Sequence, residues 1–204
     1  MRRWPLIVLL ALGAVVVAGA VVYQVKKPAA AVPMAAAEAA GKSAWDFNLT
    51  AIDGQALPMR KFQGEVVLLV NTASFCGFTP QYDGLQAMQT TYAARGFTVI
   101  GVPSGNFLDQ EYGTNKDIST FCKAKFGIQF PLAERSDVVG GNAIPIYRWA
   151  AARLGPENAP QWNFHKYLIG RDGQLIGAWG SKVEPMSPEL RGAVEKAISA
   201  PVRS

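Results

Sequence analysis

Two cysteines, Cys76 and Cys122, and one histidine, His165, are the only thiols and imidazole in this sequence of 204 residues. Cys76 lies in NTASFCGFTPQ, Asn71 to Gln81, where an aliphatic run stops and a helix-start signal begins. A thiol at the mouth of a helix meets unpaired N–H groups and a partial positive charge, and both favour the thiolate, which is the nucleophilic form. The competing reading is a buried cysteine filling a corner as a small hydrophobe. Gly77 after it and Ser74, Thr79 and Gln81 around it describe a loop rather than an apolar face, which favours a working thiol. No second cysteine stands at C-x-x-C spacing, so dithiol exchange of the usual kind is not indicated. A lone thiolate suits oxidation by a peroxide to a sulfenic acid, which a second thiol must then resolve. Cys122, 46 positions further on, is the one internal candidate. Its place on the inward stripe of a helix describes a packed core residue equally well. A disulfide needs the two Cα atoms within about 7 Å, so that helix would have to unwind or move.

Other chemistries find little support. With one histidine and no clustered Cys or His, a metal site is not expected. His165, in WNFHKY, falls in an expected strand and reads as a packing or surface residue; a Cys–His hydrolase that used it as base is the weaker reading. Neither a G-x-G-x-x-G loop nor a Walker pattern occurs, and no cofactor is expected. Of the net charge of +5, four units lie in residues 1–43, and the remainder is nearly neutral, with 15 basic and 14 acidic residues. That balance argues against a nucleic-acid partner.

The elements that must position Cys76 follow from pattern. Val66 to Val70 is an unbroken aliphatic run, as in a strand buried on both faces. Thr79 is expected to cap a helix with Pro80 in its first turn; Tyr82, Leu85, Met88 or Gln89, and Tyr92 follow at helical spacing, and Gly96 closes it. Phe97 to Val102 is a second buried strand, which makes a strand–helix–strand unit with parallel pairing. Ligands in such sheets bind beyond the carboxyl ends of the strands, where Cys76 lies. A helix from about Thr114 carries Ile118, Phe121, Cys122 and Phe126 on one stripe, and another runs from Pro145 to about Leu154. Asp53-Gly54 and Arg171-Asp172-Gly173 are hairpin turns, the second between Phe164–Ile169 and Leu175–Trp179. A last helix covers about Pro188 to Ile198. The expected fold is α/β, a mixed central sheet flanked by helices on both faces, in thioredoxin-like order.

Residues 1–43 form a separate unit, ahead of a domain over residues 44–204. Arg2 and Arg3 precede an uncharged apolar run from Trp4 to Tyr23, and Lys26-Lys27 follow. About 20 apolar residues suffice to span a bilayer, which indicates a signal anchor; Ala18-Gly19-Ala20 leaves a cleaved signal peptide as the alternative. The domain is then expected on the non-cytoplasmic side of a membrane, periplasmic or extracellular. Pro28 to Lys42 is Ala-rich and reads as a flexible tether.

VNTASFCGFTPQYDGL closely resembles the active-site signature of glutathione peroxidases in their cysteine form. GVPSGNFLDQE resembles that family's second signature, FPLAERSDVVGGNAIPIYRW the segment ahead of its tryptophan motif, and WNFHKYLIGRDGQLIG the WNF motif with its hairpin. In order, these cover about Ser43 to Ile198. The resemblance implies that Cys76 is the peroxidatic residue, and that Trp162 and Asn163 hold the sulfur and stabilise its anion. It places the family's catalytic glutamine at Asn106, one methylene shorter but still a donor and an acceptor. Ser104 and Gly105 also depart from the usual Cys-Asn, and Gln110-Glu111 are expected to hold the loop's shape. The chain has no room between Arg148 and Trp162 for the insertion of tetrameric members, which implies a short, monomeric enzyme reduced by a thioredoxin-like protein. No Arg/Lys cluster marks a glutathione site, although glutathione stays open as reductant. Cys122 falls in the helix that often holds a resolving cysteine, one place before the expected position.

The function implied is a thiol-dependent peroxidase acting on hydrogen peroxide and organic or lipid hydroperoxides. Two alternatives stand beside it. One is a peroxide sensor or thiol–disulfide partner with weak turnover, and the other is a non-enzymatic envelope binding protein that keeps the fold.

Overall fold

The computed structural model describes residues 39–201. The expected membrane segment and most of the tether, residues 1–38, lie outside the described residues. Ala39, within the expected tether, is buried in the core and its carbonyl accepts the Lys42 N–H. The chain is therefore packed a few residues before the expected domain start. Ser43 and Asp46 close a capping box around the short 3-10 turn Ala44–Asp46, and the Ala44 N–H donates to the Gly173 carbonyl. Gly173 has φ +77°, and a Cβ there would strike the Trp45 indole, so the turn and this N-terminal segment require glycine together.

Strands β1 (Asn48–Thr50) and β2 (Ala56–Pro58) form the first hairpin, around Asp53-Gly54. The main sheet holds β3 (Val66–Thr72), β4 (Phe97–Pro103), β5 (Lys166–Ile169) and β6 (Leu175–Trp179) in the order β4-β3-β5-β6. β3 pairs parallel with β4, Val66 opposite Phe97, and antiparallel with β5, Leu68 opposite Leu168; β5 pairs antiparallel with β6. The sheet is mixed because the β3–β4 connection is a helix, α1 (Gln81–Tyr92), whereas β5 and β6 meet through a tight turn.

Every residue of β3 and β4 is buried, because side chains alternate between two covered faces. Val67, Leu69, Ile100, Val102, Tyr167 and Ile169 share one core with Trp45, the first hairpin and α3 (Pro145–Leu154). Val66, Leu68, Val70, Val99 and Leu168 share the other with α1, α2 (Asn115–Phe126) and α4 (Pro188–Ser199). The spacing of Tyr82, Leu85, Met88 and Tyr92 buries all four. Thr114 caps α2 by accepting the Asp117 N–H, and of its stripe Ile118 and Cys122 are fully buried. Two boundaries differ from expectation. α1 begins at Gln81, with Pro80 at the cap and Thr79 bonded elsewhere, and β5 begins at Lys166, so that His165 precedes the strand.

Candidate active site

Three loops meet at one end of the sheet, for topological reasons. β3 and β4 run parallel and end there, at Thr72 and Pro103, while the antiparallel β5 begins there. Backbone bonds tie the loops together. The Ser104 N–H donates to the Thr72 carbonyl at 3.0 Å, Phe164 N–H to Asn71 at 2.6 Å, and Phe75 N–H to Gln110 at 2.9 Å. The Asn71 side chain adds a bond from its Nδ2 to the Trp162 carbonyl at 3.1 Å. Cys76 leaves from the first loop, Asn106 and Gln110 from the second, and Trp162 and Asn163 from the third.

Cys76 is 7% exposed. Its N–H donates to Thr79 Oγ1 at 3.0 Å, and that hydroxyl donates to the Ala73 carbonyl at 2.9 Å. Thr79 therefore clasps the cysteine loop instead of capping α1. Cys76 Sγ accepts the Phe78 N–H at 3.4 Å, a bond that an anionic sulfur takes up more strongly than a neutral thiol. The donor belongs to the turn before α1, which begins at Gln81, so this bond to the sulfur comes from the loop and not from the helix's own N–H groups.

Asn163 is fully buried, and its Nδ2 donates to Gln110 Oε1 at 3.1 Å. The next residue, Phe164, has φ +62° and packs edge-on against Tyr82 at 5.4 Å. A left-handed aromatic residue costs about 1–3 kcal/mol, and its packing into the core holds the reversal that delivers Trp162 and Asn163. Trp162 is half-buried, 5.8 Å from the Phe107 ring, and with Phe78, Gly180, Ser181, Lys182 and Val183 lines a groove of about 480 Å³. Phe75 and Leu108, 56% and 63% exposed, add apolar surface on the cysteine loop and the second loop.

Asn106, where the resemblance places the family's glutamine, is bonded within its own surroundings. Its Nδ2 donates to Asp137 Oδ1 at 2.7 Å, and its Oδ1 accepts from Ser104 Oγ at 3.0 Å, Val138 N–H at 2.7 Å and Val139 N–H at 3.3 Å. The shorter side chain is engaged in joining its own loop to residues 137–139, and none of these bonds involves Cys76. Gln110, expected only to shape the loop, is the residue that bonds Asn163.

Cys122 is fully buried on α2 and, like Cys76, is a free thiol. Burial pushes its thiol up to about 11, with the Tyr82 hydroxyl opposing and the Glu111 charge adding. Burial likewise holds the Glu111 carboxyl above its ordinary range, against hydrogen bonding from Ser74 and the Tyr112 N–H. His165 packs on Tyr167 at 4.7 Å, and burial, helped by the Lys166 charge, lowers it to about 4. Its role is packing. Lys166, unremarked in the sequence, is fully buried; burial lowers it to about 8 while Glu184 opposes. Its ammonium donates to Gln81 Oε1 and the Phe164 carbonyl, both at 2.8 Å, and so pins the start of α1 to the third loop. A lysine opening a buried strand was the available signal. For Gln110 the resemblance of the second loop was the signal, but neither periodicity nor spacing marked its pairing with Asn163. Among the described residues, no group of three or more His, Cys, Asp or Glu is placed to hold a metal ion.

A buried, hydrogen-bonded lone cysteine at the strand ends of a mixed α/β sheet defines a thiol enzyme of thioredoxin-like fold. The glutathione peroxidase family model matches residues 44–151, more than half of the chain. A hydroperoxy fatty acid reductase of Synechocystis is 40% identical over 78% of this chain and 98% of its own length. A glutathione peroxidase-like peroxiredoxin of Schizosaccharomyces pombe is 42% identical over 65% and 85%. Among solved structures, the apo form of Trgpx superposes with a TM-score of 0.63 at 31% identity, covering 78% of this chain and 97% of that one. The chain belongs to the glutathione peroxidase family, and it is a thiol-dependent peroxidase.

Proposed function

We propose that Cys76 reduces hydroperoxides of long-chain fatty acids as well as hydrogen peroxide, through a cysteine sulfenic acid. The thiolate attacks the terminal peroxide oxygen, the O–O bond breaks, and the OH group is transferred to sulfur while an alkoxide leaves and takes a proton from water. Sulfur is oxidised by two electrons and the hydroperoxide is reduced to an alcohol. The observation that carries the substrate reading is the apolar groove of Phe78, Trp162 and Val183, adjoining the Phe78 N–H that holds the sulfur. Lys182, exposed at the same groove, suits the carboxylate of a fatty acid. The Synechocystis relative's name agrees with this class.

Regeneration uses an external dithiol of thioredoxin type. One of its thiols displaces water from the sulfenic acid to form a mixed disulfide, and its second thiol releases Cys76 and leaves the reductant oxidised. The burial of Cys122 and its raised thiol support this order over an internal disulfide. The enzyme is read as a monomer tethered on the non-cytoplasmic side of a membrane by its apolar N-terminal run.

Stopped-flow oxidation and intact mass test both steps. Cys76 should react with a fatty acid hydroperoxide at least about 100-fold faster than free cysteine, the scale that placed donors contribute. One equivalent of peroxide should add one oxygen to the protein and to Cys122→Ser alike. A rate equal to that of free cysteine overturns the peroxidase chemistry, and loss of two hydrogens in the parent alone assigns resolution to Cys122.

A further inference from the structure

Breaking the O–O bond places negative charge on the departing oxygen, and a fixed donor at that point lowers the barrier. Among the described residues, the polar groups of the three loops tied together at the Cys76 end of the sheet differ in what they have left to give. The Phe78 N–H is on the sulfur. Asn106 has its donor end on Asp137 and its acceptor end on Ser104, Val138 and Val139. Gln110 is different. Its carbonyl binds the Phe75 N–H, next in the chain to Cys76, and its Oε1 accepts from the buried Asn163, while its Nε2 makes no hydrogen bond among the described residues. The Asn163 Oδ1 at the other end of the pair is buried without a partner. Turning both amides over preserves the bond between them and exchanges a free Gln110 donor for a free Asn163 donor. In either arrangement the pair retains one amide NH2 group with no hydrogen-bond partner among the described residues.

We propose that Gln110, not Asn106, supplies the donor amide of the peroxidatic site, acting with Asn163 as a coupled pair. This rests on the reading of Cys76 as the residue that attacks peroxide. The departures in the second loop then form one set. A Cβ on Gly105 would overlap the Arg135 guanidinium, so glycine there opens the path by which Arg135 reaches Asp109 at 2.7 Å. Asp109 and its neighbour Leu108 both adopt left-handed backbone, φ +50° and +58°. Consecutive left-handed residues other than glycine are held only where the surroundings impose them, and such strain gathers at functional sites. Here the strained pair leads directly into Gln110. Ser104 and Asn106 brace the same loop from its other end, through their mutual bond and the bonds of Asn106 to residues 137–139. The glutamine role has moved four residues along the loop, and Asn106 has become a brace.

The test compares Gln110→Ala, Gln110→Glu, Gln110→Asn and Asn106→Ala in the full chain. Two rates are read at Cys76, oxidation by hydrogen peroxide and alkylation by iodoacetamide. Alkylation expels iodide and needs no donor on a departing oxygen, so the ratio of the two rates separates loss of the donor from general disturbance of the loop. Gln110→Ala and Gln110→Glu should each lower that ratio at least about tenfold, within the range for removal of one placed donor. Gln110→Asn should recover part of it, and Asn106→Ala should lower it less than either. An unchanged ratio in both Gln110→Ala and Gln110→Glu overturns the proposal, as does a larger fall in Asn106→Ala. Should Gln110→Ala fail to fold, the isosteric Gln110→Glu decides. A parent protein that oxidises no faster than free cysteine instead overturns the underlying reading of Cys76.

Discussion

Cys76 offers a reagent only a sliver of surface and is anchored on both sides, by Thr79 at its N–H and by the Phe78 N–H at its sulfur. His165 is buried for a different purpose. It packs edge-on against Tyr167 with Nε2 unpartnered, and burial lowers it to about 4 from an ordinary 6.5. Because the folded value is depressed, the unfolded chain takes up the proton first as the solution is acidified. Stability is complete above about pH 6.5 and is lost as the pH falls toward and through 4, by about 2–4 kcal/mol from this residue. Thermal melts of the protein and of His165→Phe between pH 7 and 4 check this. The melting temperature of the variant should fall less steeply with acid, and parallel curves would remove the assignment. The type and place of His165 suggested a packing or surface role, and only the surrounding structure, Tyr167 among it, decided for burial.

The loop from Ala73 to Pro80 is held by side chain rather than by helix geometry. Thr79 Oγ1 accepts from Cys76 N–H and donates to the Ala73 carbonyl, two buried bonds around one hydroxyl. Thr79→Val keeps the shape and strands both partners, so it should cost about 2–4 kcal/mol and slow oxidation of Cys76 by releasing its loop. Chemical denaturation and stopped-flow oxidation measure the two effects; a variant as stable and as fast as the parent would show that the clasp is idle. The Thr79-Pro80 pair announced a helix start and the helix is there, but its first residue is Gln81. Thr79 looked like a cap because a cap and a loop clasp use the same hydroxyl, and the choice depends on whether a free N–H lies ahead in the helix or behind in the loop. At Cys122 the helical stripe was legible, whereas the burial that raises its thiol is completed by other segments, with the Glu111 charge from the second loop adding to it and the Tyr82 hydroxyl from α1 opposing it.

At the scale of the molecule, two cores sandwich one mixed sheet, and the site sits where three loops leave its end. No helix of the described residues is long and apolar enough to cross a membrane; the proposed membrane attachment would rest on the apolar run from Trp4 to Tyr23. The full chain should stay with membranes through alkaline carbonate extraction, while a chain starting at Met34 should be released with its peroxidase activity intact. Recovery of the full chain in the soluble fraction would dismiss the anchor. Strand and helix order, the hairpin turns at Asp53-Gly54 and Arg171-Asp172-Gly173, and the place of Cys76 in the loop beyond a strand end were determined by sequence alone, because each depends on local periodicity, turn chemistry or a motif within a few residues. The partners of Asn106, the pairing of Gln110 with Asn163, and the depth of Lys166 and Cys122 were decided only by tertiary structure. These are contacts between segments 31 to 85 residues apart, and an amide commits its few bonds only once folding has brought those segments together.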